Sequence, residues 1–149
     1  ISVNFSFSIG NKLDYKNLKI GDLIPSLENP PITRTMLALY AGASGDHNPI
    51  HIDIDFAKKS GFSDVIAHGM LIMAIASKNL TNVFTQNSIK EISVQFVSMT
   101  KIGDELTSDC KIIEKDIIDN KVLFTLSLSV KDNSGDEKLK GKAKIELNE

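Results

Sequence analysis

The chain has 149 residues, enough for one domain with its own core and too few for two ordinary ones. Its apolar fraction of 42% and charged fraction of 24% are those of a globular protein. A net charge of −2 leaves no basic footprint for nucleic acid and no attraction to an anionic membrane.

Residues 1–31, with Gly10, Gly21, Pro25, Pro30 and Pro31, read as an irregular lead-in holding one or two short strands. Thr33 is placed to cap a helix whose apolar face is Met36, Leu37, Leu39 and Tyr40, ending near Gly42 to Gly45. Residues 45–54 form a loop, because Asn48 precedes Pro49 and is pushed out of helical space. Asp55 is then expected to cap a short helix over Phe56–Ser60, closed by Gly61.

The helix expected from about His68 to Phe84 is apolar on all sides through Met70 to Ala76, which predicts burial on most of its surface. Segments 88–98, 105–115, 121–131 and 137–147 alternate at period two and are read as strands. Their separators carry turn chemistry: Lys101 to Asp104, Asp119-Asn120, and Asp132 to Gly135. Four consecutive strands with short links predict an antiparallel meander. The expected whole is one α+β domain over residues 1–149, a curved antiparallel sheet wrapped around one long buried helix.

Cys110, the only cysteine, sits in the alternating run Leu106 to Ile113 and reads as a packed strand thiol. It fits a reducing, cytoplasmic setting. The longest apolar run, Val65 to Ala76, is too short to cross a bilayer, and no secretory leader is visible.

Two stretches carry chemistry. Tyr40 to His51 reads YAGASGDHNPIH and puts a carboxylate (Asp46), an amide (Asn48) and an imidazole (His51) in one loop, its shape restrained by Gly45 and Pro49. A carboxylate and an imidazole that converge can share a water, one accepting its proton and the other orienting it. Ile66 to Leu71 reads IAHGML and puts Gly69 in the first turn of the apolar helix, where backbone N–H groups lack helical partners and face the positive dipole end. That position suits a developing oxyanion. Taken singly, the pair could be a solvated turn and Gly69 a packing accommodation. A metal site from Asp46, His47, His51 and His68 is the other chemical reading; Pro49 breaks the only histidine pair with helical spacing.

Together the two stretches resemble the MaoC-like (R)-specific enoyl-CoA hydratases and 3-hydroxyacyl dehydratases. The residues carrying the likeness are Tyr40, Ser44, Gly45, Asp46, Asn48, Pro49, Ile50 and His51, then Ala67, His68, Gly69 and Met70. The match is dense over residues 33–76; before residue 31 it rests on the Lys19-Ile20-Gly21-Asp22 turn. The resemblance implies the hot-dog fold and hydration of 2-enoyl thioesters, or the reverse dehydration, on coenzyme A or acyl carrier protein. It implies a homodimer or a heterodimer of hot-dog chains, with neither metal nor cofactor.

By the same resemblance Asp46 and His51 activate the water, Asn48 orients them, and the Gly69 N–H receives the thioester oxygen. Ser44, Gly45, Pro49, His68 and Met70 are expected around the substrate, with the His68 side chain packing or capping the helix rather than acting as base. A thioesterase on the same fold is the rival activity, and a catalytic subunit that works only beside a partner chain is the rival assembly. Lys58, Lys59 and Lys90 are candidates for a cofactor-like phosphate on the substrate, or simply solvated surface.

Overall fold

A glycine turn of one sequence, Lys-Ile-Gly-Asp, is used twice to deliver the chain into a strand. In the computed structural model, which describes residues 17–148, Lys19 N–H donates to the Asp22 carboxylate at 2.8 Å and Asp22 N–H to Lys19 O at 3.0 Å. Lys101 and Asp104 repeat both bonds, at 2.8 and 3.2 Å. Gly21 and Gly103 occupy the corner at φ +97° and +91°, a region that glycine enters without steric cost. Of the lead-in, residues 1–16 lie outside the described residues; the rest supplies strand β1 (Leu23–Glu28).

Helix α1 (Arg34–Ser44) starts at Thr33, whose hydroxyl accepts from Met36 N–H at 3.1 Å, and stops at Gly45, left-handed at φ +75°. The short helix α2 runs Ile54–Lys59. Its cap is Asp53, not Asp55: the Asp53 carboxylate accepts from the N–H groups of Asp55 and Phe56, so Asp55 falls inside the first turn. Helix α3 covers Gly69–Thr81. Strands β2 (Ile89–Phe96), β3 (Leu106–Ile118), β4 (Lys121–Asp132) and β5 (Glu137–Asn148) follow. The β3–β4 hairpin turns on Asp119 and Asn120, both at positive φ, the primed turn that matches strand twist.

The sheet order is β1-β3-β4-β5-β2, antiparallel throughout. The expected four-strand meander is therefore corrected. Only β3, β4 and β5 form one; β2 pairs with β5 at the far edge, and residues 97–105 carry the chain across to β3. Alternation marks a strand but not its partner, and the crossover is a non-local choice.

A second correction concerns α3. It buries one face, Ile72, Ile75, Ala76, Asn79 and Leu80, while Met70 is 53% exposed and Ala74 is also open. The sheet covers one side of the helix, so its apolar circumference is only partly used within the chain. Within the buried face Asn79 donates to Ser108 O at 2.8 Å, which satisfies a buried amide and ties α3 to β3. Cys110 is buried on β3 as expected, and burial pushes its thiol up to about 12.

The β2–β5 pairing depends on Gly141. A Cβ there would meet Ser93 O at 2.2 Å and Val94 Cα at 2.9 Å, both backbone atoms that cannot yield cheaply. Gly141→Ala is expected to destabilise the chain by about 1–3 kcal/mol, the usual cost of overpacking. Chemical denaturation measures it, and an unchanged midpoint would contradict the pairing of β2 with β5.

Candidate active site

The loop after α1 is built from three overlapping side-chain turns. Ser44 Oγ accepts from Asp46 N–H at 3.2 Å, Asp46 Oδ1 from Asn48 N–H at 3.2 Å, and Asn48 Oδ1 from Ile50 N–H at 3.1 Å. Each short polar side chain holds the backbone two residues on, as such residues do in turns. Pro49 then opens a 3₁₀ turn, Pro49–His51, at the position where its missing N–H costs nothing. Ser44, Gly45, Asn48 and Pro49 thus shape the loop; all but the half-buried Pro49 are exposed.

That loop presents His51 in a defined state. His51 Nδ1 lies 2.7 Å from the carbonyl oxygen of Ile66. A carbonyl only accepts, so Nδ1 donates the proton, and in the neutral ring the lone pair lies on Nε2. Ile66 is itself held: its N–H donates to Ile50 O at 3.3 Å, and it bridges to Lys101.

His68 lies underneath. Its ring stacks on His51 with centroids 3.9 Å apart and 27° between planes, and Tyr40 packs on it at 4.9 Å. His68 Nε2 donates to Asp46 O at 3.1 Å, which pins the loop to the start of α3. Its Nδ1 is buried and has no hydrogen-bond partner among the described residues. Burial holds the His68 imidazole below its usual range, against the carbonyl of Asp46, with the neighbouring His51 adding to the lowering. A neutral, stacked ring fits the expectation that His68 packs. It occupies the cap position of α3, but its side chain makes no capping bond.

Polar atoms of Asp46, His51 and His68 lie within 4.8 Å of one another. His47, part of the metal reading of the sequence, is exposed and outside this cluster. His51 opens onto a cavity of about 350 Å³ that it lines together with Ala67, Gly69, Ile72, Phe96 and Thr100. Gly69 is the first residue of α3, so its N–H has no intrahelical acceptor. The Phe96 ring approaches within 3.3 Å of where a Cβ of residue 69 would be, so only glycine leaves this wall undisturbed. Asp46 is exposed and is not among the cavity-lining residues, and Met70 points outward. A larger depression of about 820 Å³ lies on the sheet, lined by residues such as Ser127, Ser129, Lys140 and Lys142; it holds neither imidazole nor helix start.

Sequence reasoning missed Ile66, Phe96, Thr100 and Lys138. Ile66 contributes a carbonyl, which no residue type announces; Phe96 and Lys138 come from strands β2 and β5 and Thr100 from the segment after β2, all far along the chain.

The family model described as MaoC like domain matches residues 19–134. The chain belongs to the MaoC-like domain family. A solved (R)-hydratase of Pseudomonas aeruginosa shares the hot-dog fold with this MaoC-like chain at a TM-score of 0.78 and 29% identity, over 91% of this chain and 85% of that one. A mitochondrial 3-hydroxyacyl-acyl-carrier-protein dehydratase of Arabidopsis thaliana is 33% identical over 89 residues, 60% of this chain and 52% of the relative. The peroxisomal multifunctional enzyme type 2 of Mus musculus is 30% identical over 111 residues, 70% of this chain and 15% of the relative. The chain thus spans about half or less of the length of these two curated relatives.

The His68 environment sets a pH dependence of stability. The unfolded imidazole titrates near 6.5 and the folded one lower, so below about 6.5 the unfolded chain binds a proton that the folded chain refuses. Stability is therefore lost as pH falls through that window. Against a His68→Gln variant, the parent's denaturation midpoint is expected to drop further between about pH 8 and pH 5. A parent-minus-variant difference that is flat in pH would contradict the buried neutral ring.

Proposed function

We propose that this MaoC-like chain catalyses (R)-specific hydration of 2-enoyl thioesters and the reverse dehydration of 3-hydroxyacyl thioesters. The acyl group is carried on coenzyme A or acyl carrier protein. The observation that carries this reading is the placement of His51: Nδ1 is committed to Ile66 O, the residue clusters with Asp46, and it lines a cavity that also contains the start of α3. Kinship with an (R)-hydratase and a 3-hydroxyacyl dehydratase supports the same chemistry.

In the hydration direction, a water is held between Asp46 and His51 Nε2. Its oxygen bonds to C3 of the enoyl group while the acid/base pair takes its proton. The C2–C3 π electrons move to C2 and the thioester oxygen, and the proton is delivered to C2 to complete the product. Gly69 N–H, aided by the helix dipole, receives the negative charge on the thioester oxygen; one such donor contributes about 3 kcal/mol. Asn48 holds the loop that aims Asp46, and His68 supports the His51 ring from below. Ser44, Gly45 and Pro49 act through the loop's shape, while Met70, in the first turn of α3, points away from the cavity.

Asp46→Asn and His51→Ala are each expected to lower turnover at least about a hundredfold while leaving the thermal midpoint near the parent's, since positioned acid/base groups contribute that much. Crotonyl-CoA absorbance follows the reaction. Near-parental turnover by either folded variant removes that residue from the mechanism.

We further propose that the working form is a dimer, of two copies or with a homologous hot-dog chain. Support comes from the edge of β2 that no described strand pairs, from exposed apolar groups of the cavity wall, Phe96 at 47%, Val97 at 46% and Met99 at 51%, and from Met70 at 53% on α3. An unpaired edge beside such groups invites another chain. On dilution, specific activity is expected to fall in step with sedimentation mass. A monomer active at every concentration would contradict the assembly.

A further inference from the structure

Strand β5 places lysine at every second position, Lys138, Lys140, Lys142 and Lys144, and simple alternation would send all of them to the outer face. Three are exposed. Lys138 is buried, its side chain 4% exposed. The cause is a bulge: Leu139 pairs with Val130 and Glu137 with Lys131, so Lys138 has no residue opposite it and turns inward. Bulges of this kind re-aim a side chain, often beside a functional site.

The inward ammonium is fully engaged. It donates to Asp136 at 2.8 Å, lies 3.0 Å from Asp132 and 3.4 Å from Asp104, and donates to the carbonyl of Met99 at 3.1 Å. Four acceptors surround three N–H groups, so no donor is left for a substrate. Burial would lower the Lys138 ammonium, but the bonds to Asp136 and Asp132 and the charge of Asp104 outweigh it and hold the group above the usual lysine range. It stays charged and is no base.

What the ammonium grips is the segment leaving β2. Val97 N–H donates to Lys138 O at 2.9 Å, and Met99 O and Asp104 receive its ammonium. The Ser98 hydroxyl reaches Asp136, itself a Lys138 partner. On its other side the same segment holds the approach to Gly69, since Ala67 N–H donates to Thr100 O at 2.9 Å. Phe96 to Thr100 form one wall of the cavity that His51 and Gly69 line on the other.

We infer that Lys138 is a positioning residue that sets which acyl chains the site accepts, by clamping the Phe96–Thr100 wall through Met99 O and the Asp104–Asp132–Asp136 cluster. This rests on the reading of the cavity as an acyl-thioester site. A four-carbon acyl group is confined near Gly69 and His51, where α3 and the 3₁₀ turn fix the geometry. A longer chain must lie against the wall, and its binding depends on the wall staying in place.

The test compares 2-butenoyl-CoA with 2-octenoyl-CoA in the parent, Lys138→Met and Asp136→Ala. Asp136 is exposed, so its variant retains a folded core and reports on the clamp even where Lys138→Met does not fold. The folded variants are expected to lose at least about tenfold more kcat/KM on the eight-carbon substrate than on the four-carbon one, the scale of lost pocket contacts to methylenes, with the loss in KM rather than kcat. Amide hydrogen exchange over residues 97–104 should quicken in the same variants. Equal losses on both substrates, or a parental chain-length ratio in a folded variant, would overturn the clamp and leave the hydratase reading standing. A parent that hydrates neither substrate would overturn that reading, and this inference with it.

Discussion

The hydrogen bond from His51 Nδ1 to the carbonyl of Ile66 is the constraint on which the site depends. It chooses the tautomer. With a proton held on Nδ1, the neutral ring carries its lone pair on Nε2, and the ring cannot swing without breaking a short bond. A backbone carbonyl suits this task because its position is set by secondary structure rather than by a rotamer. Ile66 lies in the extended stretch that enters α3, bonded to Ile50 on one side and bridged to Lys101 on the other. His51 and the start of α3 are therefore positioned by one piece of backbone.

The surroundings make that arrangement rigid by packing and neutral by burial. His68 packs against both Tyr40 and His51 and is tied to Asp46 O, so the Ser44–His51 loop and the start of α3 share one ring. Burial favours the uncharged form of that ring, so it packs on His51 as a neutral imidazole. Asp46 stays exposed at the rim of this arrangement. On the opposite wall the order is electrostatic: one buried ammonium among aspartates holds a segment that is not part of any strand. Breaking a buried charge set is costly, and that cost makes it an effective clamp.

Much of this was legible in the sequence because it is local. Thr33 as a cap, Gly45 as a stop, the Asn48-Pro49 turn and Gly69 at a helix start each follow from the preferences of single residues, and the structure has all of them. The density of the Tyr40–His51 and Ala67–Met70 stretches pointed to the family before any geometry was known. What was hidden was non-local or ambiguous. Strand β2 alternates whether it pairs with β3 or β5, so its place at the far edge could not be read. Asp53 and Asp55 are both plausible caps two residues apart, and only backbone angles separate them. Lys138 looks like its outward neighbours until a bulge in the β4–β5 ladder turns it inward. The apolar circumference of α3 gives no sign of which face the sheet covers, and among the described residues one face is buried.

The tautomer of His51 is the most direct test of the account, since a base at Nε2 requires a proton at Nδ1. Long-range proton–nitrogen correlation NMR on the ¹⁵N-histidine-labelled protein, assigned with His51→Ala, distinguishes the two nitrogens above the imidazole titration. The account predicts a protonated Nδ1 and a bare Nε2 on His51. A proton resident on Nε2, with Nδ1 bare, would contradict it.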